Sequence, residues 1–263
     1  MRLTACVLVL LCAAVGPAVA AEPAALARAR TLYNEGNYDG AIAAATEARQ
    51  VASFADAAGL VLARAHLERY RQRADAADLS AAREALRTVK QDALGRRDRV
   101  DLLIGLGQSL FLSENYGAAA ELFDAALVQG SVMTARARTL LLDWWASALD
   151  REAQSRPIER RTPVFERIIA RMEEELRANP GCAPASYWLA VATRGAGDLE
   201  RAWDAAIAGW VRSSLDPETS VAVRADLDRL VTSALIPERA RQRQGNSVET
   251  LRGEWELVKS QWQ

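Results

Sequence analysis

Apolar and alanine positions recur three and four residues apart along nearly the whole chain after Ala24, and no stretch alternates apolar and polar residues with β-branched enrichment. That is the spacing of one face of a helix and not of a strand. Alanine and arginine, both abundant here, are good helix formers. The pattern predicts an all-α protein. Punctuation supports it. Thr162-Pro163 reads as a cap followed by proline at the first helical position, and Asn179-Pro180-Gly181 closes that helix. Asp216-Pro217-Glu218 opens another helix running to about Leu235, with Pro237 beyond it. After an exposed loop over 242–246, Ser247 to Trp262 reads as a final amphipathic helix, with Leu251, Trp255, Leu257, Val258 and Trp262 near helical spacing.

The helical segments repeat. The first reads Leu32-Tyr33-Asn34-Glu35-Gly36-Asn37-Tyr38-Asp39-Gly40-Ala41-Ile42 and continues to Ala45 and Ala48. Another carries Leu106-Gly107, Leu110, Asn115-Tyr116, Ala119, Phe123, Ala126 and Leu127. A later one carries Trp188-Leu189-Ala190, Gly197-Asp198-Leu199-Glu200-Arg201-Ala202 and Ala206. Small residues in both helices of such a unit let two backbones approach, and a large residue one turn on fills the groove beside them. Glycine at the turn tolerates a conformation other residues resist, and the Asn or Asp after it can cap the second helix. Two further segments are degenerate. One runs from about Ala55 to Lys90, with a long turn expected over Arg73 to Ser80. The other has a first helix from about Met133 to Glu152 and an insertion over 155–161.

These segments resemble the tetratricopeptide repeat, a helical hairpin of about 34 residues. The periods are imperfect: Ala41, Ala82 and Ala119 are 41 and 37 residues apart. The resemblance implies a right-handed helical-hairpin solenoid of about five repeats over 21–213. Residues 214–263 are expected as capping helices, because a solenoid's last repeat has an apolar face that needs a lid; a partner-docking helix with exposed tryptophans is the alternative.

In that family the first helix of each repeat lines a concave groove. Carried over, the groove residues are Arg30, Tyr33 and Asn34 in the first repeat and Arg64 and Glu68 in the second. The third supplies Asp101, Ile104, Gln108, Phe111 and Leu112. The fourth supplies Arg138, Leu142 and Trp145, with Trp144 turned to the hairpin core, and the fifth Tyr187 and Arg194. Tyrosine, tryptophan and arginine are the types that most often dominate binding energy, though bulky residues at helical spacing also build cores.

Composition narrows the function. The chain has 33 basic and 34 acidic residues, and only two of the basic ones, Lys90 and Lys259, are lysine. Balanced charge argues against a nucleic-acid partner. Arg2, the apolar run from Leu3 to Val15, Gly16-Pro17 and Ala18-Val19-Ala20 read as a secretory leader over 1–20, cleaved after Ala20. An uncleaved anchor is the alternative. No second apolar run is long enough to span a membrane. An exported, periplasmic or otherwise extracytoplasmic bacterial location follows as an expectation. Cleavage removes Cys6 and Cys12, leaving Cys182, so no disulfide within the chain is expected.

No catalytic constellation is visible. One histidine, His66, on a core-facing position, and one mature cysteine do not make a metal site. Glu173-Glu174-Glu175 point in different directions on a helix, and Gly195-Ala196-Gly197 is a repeat turn without the Lys-Ser/Thr of a phosphate loop. The clusters Arg69/Arg71/Arg73, Arg96/Arg97/Arg99 and Arg239/Arg241/Arg243 read as solvated helix ends, with anionic lipid or polymer binding as the alternative. The reading is therefore a non-catalytic cell-envelope scaffold that holds a peptide or partner protein, without cofactor or metal. Its alternative is a periplasmic small-molecule-binding repeat protein associated with a transport system, which would enclose a cavity around Phe111, Trp145 and Tyr187.

Overall fold

The computed structural model describes residues 22–215, 217–242 and 247–262. The expected leader over 1–20, Asp216 and most of the expected loop over 242–246 lie outside the described residues. No strand occurs among the described residues.

The helices fall into antiparallel pairs: α1 (Ala24–Asn34) with α2 (Tyr38–Ala48), α3 (Ala55–Arg73) with α4 (Ala76–Thr88), and α5 (Arg96–Phe111) with α6 (Tyr116–Val128). Then come α7 (Ala135–Ser155) with α8 (Thr162–Ala178), and α9 (Ala183–Gly195) with α10 (Leu199–Ser213). Each hairpin stacks on the next, so α1, α3, α5, α7 and α9 form one row and the even helices the other. The arrangement is a tetratricopeptide-like helical repeat solenoid. Alanine makes the stacking tight: Ala41, Ala44, Ala45 and Ala48 in α2 and Ala119, Ala120 and Ala126 in α6 are all buried. Side chains this small lose no rotamer freedom on burial.

Four hairpins turn through a residue in the left-handed region: Gly36 at φ 77°, Ala74 at 54°, Glu114 at 62° and Gly197 at 91°. Asn37 then accepts a hydrogen bond from the Gly40 amide at 3.0 Å, and Asp198 from the Arg201 amide at 3.0 Å, capping α2 and α10. Asn115 instead uses its amide to donate to the Ser113 carbonyl at 3.1 Å. The long turn expected over Arg73 to Ser80 is corrected here. Helix α3 runs to Arg73, Ala74 makes the left-handed turn, and Asp75 caps α4 through the Ala77 amide at 2.9 Å. Asp75 is the cap signal that the missing glycine obscured.

Helix α11 (Pro217–Leu230) packs on both α9 and α10, the place a next first helix would take. The chain does not leave helix near Leu235 as expected. It widens through a π turn, Val231–Leu235, and continues as α12 (Ile236–Gln242). The wider turn fits Pro237, which has no N–H to offer the preceding turn. Helix α13 (Val248–Gln261) covers the end. Its Trp255 is wholly buried, edge-on to Trp203 and Trp210 at centroid distances of 6.1 and 5.4 Å, and its indole N–H donates to Asp228 at 2.8 Å. Leu257 and Trp262 remain exposed.

Candidate functional site

Helices α1, α3, α5 and α7 present one or two side chains per turn to a shared cleft of about 820 Å³. Helix α1 contributes Arg30, Tyr33 and Asn34, and α3 contributes Leu60, Val61, Arg64, Glu68 and Arg71. From α5 come Arg97, Asp98, Val100, Asp101, Ile104, Gln108 and Phe111, with Leu112 just after it. From α7 come Ala137, Leu140, Leu141, Asp143, Trp144 and Ser147, with Val132 to Thr134 ahead of them. Residues three and four apart along each helix share one face, so each turn places one or two residues on the same wall.

Most of the charge in the cleft is paired internally. Arg30 holds Asp98 at 3.0 Å and Glu22 at 2.8 Å, Arg64 holds Asp101 at 2.9 Å, and Arg71 holds Glu68 at 2.7 Å. Two guanidiniums also lie over rings, Arg64 over Tyr33 at 4.7 Å and Arg71 over Trp144 at 4.9 Å. Phe111 sets its edge against Trp144 at 5.0 Å and against Tyr116 at 5.2 Å. Burial pushes the Tyr33 phenol above its ordinary pKa, against the pull of Arg64. Burial likewise raises Asp98 even with Arg30 beside it. Two polar atoms of the wall have no partner: Arg64 Nε, a donor, and Gln108 Oε1, an acceptor. Gln108 is only 5 % exposed. A buried polar atom left unpaired costs about 1–3 kcal/mol, and a ligand that pairs it recovers that cost.

A family model for the tetratricopeptide repeat matches residues 71–133, from the end of α3 to the segment before α7. The match takes in α4, α5 and α6, the hairpin with the clearest repeat pattern among them. Residues 71–133 are thus similar to the tetratricopeptide repeat. No curated protein and no solved structure matches it.

On this helical repeat scaffold ten of the fifteen expected groove residues share the cleft: Arg30, Tyr33, Asn34, Arg64, Glu68, Asp101, Ile104, Gln108, Phe111 and Leu112. The fourth-repeat expectation is corrected by one residue. Trp145 is 1 % exposed and Leu142 is buried with it in the core. Arg138 ties α7 to its neighbours, bonding Glu175 of α8 and the Leu127 carbonyl of α6, the latter at 3.2 Å. Trp144, expected in the core, stands on the cleft wall. The sequence Leu140-Leu141-Leu142-Asp143-Trp144-Trp145 is apolar on two faces, so periodicity alone fits either register. The buried alanines decide it: Ala146 and Ala153, on the Trp145 side of α7, are wholly enclosed.

In the fifth repeat Tyr187 lies beyond the cleft, edge-on to Trp188 at 5.3 Å, and Arg194 is held by Glu238 of α12 at 2.6 Å. Phe111, Trp145 and Tyr187 are therefore not brought together: the first lines the cleft, the second is core, and the third sits on the next helix of the row.

The arginine clusters are not uniformly solvated ends. Arg69 bonds Asp78 through two nitrogens, at 2.9 and 2.5 Å, and reaches Asp39 of α2 at 2.7 Å. His66 Nδ1 lies 2.8 Å from the same Asp78, which is 2 % exposed, so the histidine is part of a structural clasp. Those bonds, Arg69's first, hold the Asp78 carboxyl below the usual carboxylate range. Arg239 is buried over Trp203 at 4.5 Å and bonds Glu200 at 2.9 Å. Among the described residues no set of His, Cys, Asp or Glu is placed to hold a metal ion, and no helix is long and apolar enough to cross a membrane.

Proposed function

We propose that this repeat protein is a non-catalytic scaffold that holds a peptide segment of a partner protein in the α1–α7 cleft. The observation that carries the reading is the pair of unpartnered atoms on the wall, Arg64 Nε and Gln108 Oε1. An unfolded peptide backbone carries one donor and one acceptor per residue and can supply both. Around them Tyr33, Phe111, Trp144 and Leu140 give apolar surface for side chains, and Leu140 is 58 % exposed. Exposed apolar surface rimmed by charge suits recognition. The leader-like N-terminus supports an extracytoplasmic, cell-envelope setting for the partner.

The test is capture from a native envelope fraction by residues 21–263, beside a Tyr33→Ala/Phe111→Ala/Trp144→Ala variant verified by circular dichroism. A partner retained by the wild type, cross-linked to the cleft and lost from the still-helical variant supports the reading. Equal retention by both chains removes the cleft from the account.

A second reading rests on volume. About 820 Å³ falls in the range of small-ligand pockets, so a small-molecule receptor of a transport system is the alternative. Thermal stabilisation by a metabolite extract depleted of peptides would favour it.

A further inference from the structure

One wall carboxylate differs from the rest. Asp98 and Asp101 each pair with a guanidinium from another helix, and Glu68 pairs with Arg71 on its own helix. Asp143 accepts only from a neutral group, the Trp188 indole N–H at 2.9 Å, and forms no ion pair among the described residues. Two turns along the same face of α7, Asp150 is held only by the neutral Gln154 amide at 2.6 Å. A third carboxylate, Asp226 of α11, has Arg229 at 3.4 Å, and that side chain is 75 % exposed.

These three carboxylates act on one shared neighbour, Tyr187. Burial first, then the charges of Asp226, Asp143 and Asp150, push the Tyr187 phenol up to about 12. Burial chiefly raises Asp143 and Asp150 above the ordinary carboxylate value. The guanidiniums within reach are committed: Arg71 to Glu68, Arg194 to Glu238. Arg151 adjoins Asp150 but sits one residue on, so it faces another side of the helix.

A cluster of acids alone could be a solvated surface. Gln108 supplies the independent observation. It lines the same cleft as Asp143, and its buried Oε1 accepts from nothing. Buried acceptors want N–H donors, and the carboxylates want positive charge. Trp144 stands beside them and already seats one guanidinium, that of Arg71.

Resting on the peptide reading of the cleft, we propose that the α7 end receives a lysine or arginine side chain of the bound segment. Its cationic head lies between Asp143 and Asp150, its stem runs along Leu140 and Trp144, and Gln108 takes a backbone N–H nearby. Long basic side chains bury their stems on apolar surface while the charge meets its partner. A segment acidic at that point is repelled.

The experiment is selection of a random dodecapeptide phage library on the chain of residues 21–263 and, in parallel, on its Asp143→Asn/Asp150→Asn variant. Asparagine keeps an acceptor for Trp188 and Gln154, so the variant removes charge and little else. The expected wild-type pool is enriched in lysine and arginine at a fixed spacing from an apolar residue, and the variant pool is not. A selected peptide with norleucine in place of its lysine should bind the wild type about tenfold or more weakly, on the scale of a desolvated charge pair. That arm needs no altered protein. Peptides selected without basic enrichment, or equal enrichment on both chains, would overturn the proposal and leave the scaffold reading standing. Saturable binding of spermidine to the same carboxylates, as tight as that of the peptides, would assign the site to a free cation and overturn it too. Failure to select any peptide would defeat the scaffold reading and this proposal together.

Discussion

Gly107 of α5 and Phe123 of α6 are a matched pair: a Cβ at position 107 would lie 2.4 Å from the Phe123 ring, which is wholly enclosed. The ring occupies the space that the glycine leaves. Gly195 of α9 repeats the device against Phe165 of α8, at 2.5 Å. The first pair closes a hairpin and the second joins two of them.

Gly107→Ala should therefore destabilise the protein by about 1–3 kcal/mol, the usual cost of overpacking a core. Intrinsic propensity points the other way, since alanine favours a helix over glycine by about 1 kcal/mol. The sign of the change in urea midpoint decides between them, and a rise would mean that the helices do not approach this closely.

The two neighbouring tryptophans of α7 should separate stability from binding. Trp145→Ala removes a core side chain and is expected to cost about 3–5 kcal/mol. Trp144→Ala opens the cleft wall, with a smaller loss of stability, and removes the ring under Arg71. Melting temperature and binding of a selected peptide, measured on both variants, should rank them in opposite order.

Glu114 makes its hairpin turn at φ 62°, where the first repeat has Gly36 at 77°. A side chain in the left-handed region costs roughly 1 kcal/mol, partly offset by the extra freedom glycine has when unfolded. Glu114→Gly should stabilise by roughly 0.5–1 kcal/mol. Gly36→Ala is the converse control. A Cβ there meets nothing within 4 Å, so any loss is conformational. Chemical denaturation of both variants checks the pair, and a destabilised Glu114→Gly would show that the glutamate side chain contributes more than its backbone costs.

The repeat architecture and much of the α1, α3 and α5 walls of the cleft were legible because the same signals recur: Leu-Gly at 106–107, Gly-Asn and Gly-Asp turns at 36–37 and 197–198, alanines where backbones touch. The cleft residues of α1, α3 and α5 follow from those anchors. Helix α7 has no glycine or turn motif to fix its phase, and its leucines and tryptophans satisfy two faces at once. Only the enclosure of Ala146 and Ala153 selects between them. Arg194 misled for another reason. Glu238, from a helix that the repeat pattern does not describe, claims its charge. That Asp143 forms no ion pair among the described residues is equally a property of several helices together, and no spacing on one of them announces it.

Acid titration should separate two kinds of carboxylate by sign. Asp78 is held below the ordinary value, first by its bonds to Arg69. The native state therefore binds its proton less readily than the unfolded chain does. Its contribution is present above the ordinary carboxylate pKa and is lost as pH falls through the lowered one. Asp143 and Asp150 are raised, chiefly by burial. They bind protons more readily when folded, so stability falls as pH rises from the ordinary value through the raised one, and the penalty is complete above it. Asp78→Asn should lower the melting temperature at neutral pH, by up to about 3 kcal/mol in stability since Arg69 keeps Asp39, with the deficit shrinking in acid. Asp143→Asn/Asp150→Asn should melt at or above the wild type at neutral pH and converge with it in acid. Melting curves of the three chains from neutral to acid pH measure both trends. A double variant less stable than wild type at neutral pH would mean that a cation within the protein already compensates the two carboxylates, and that the cleft has no charge left for a ligand to meet.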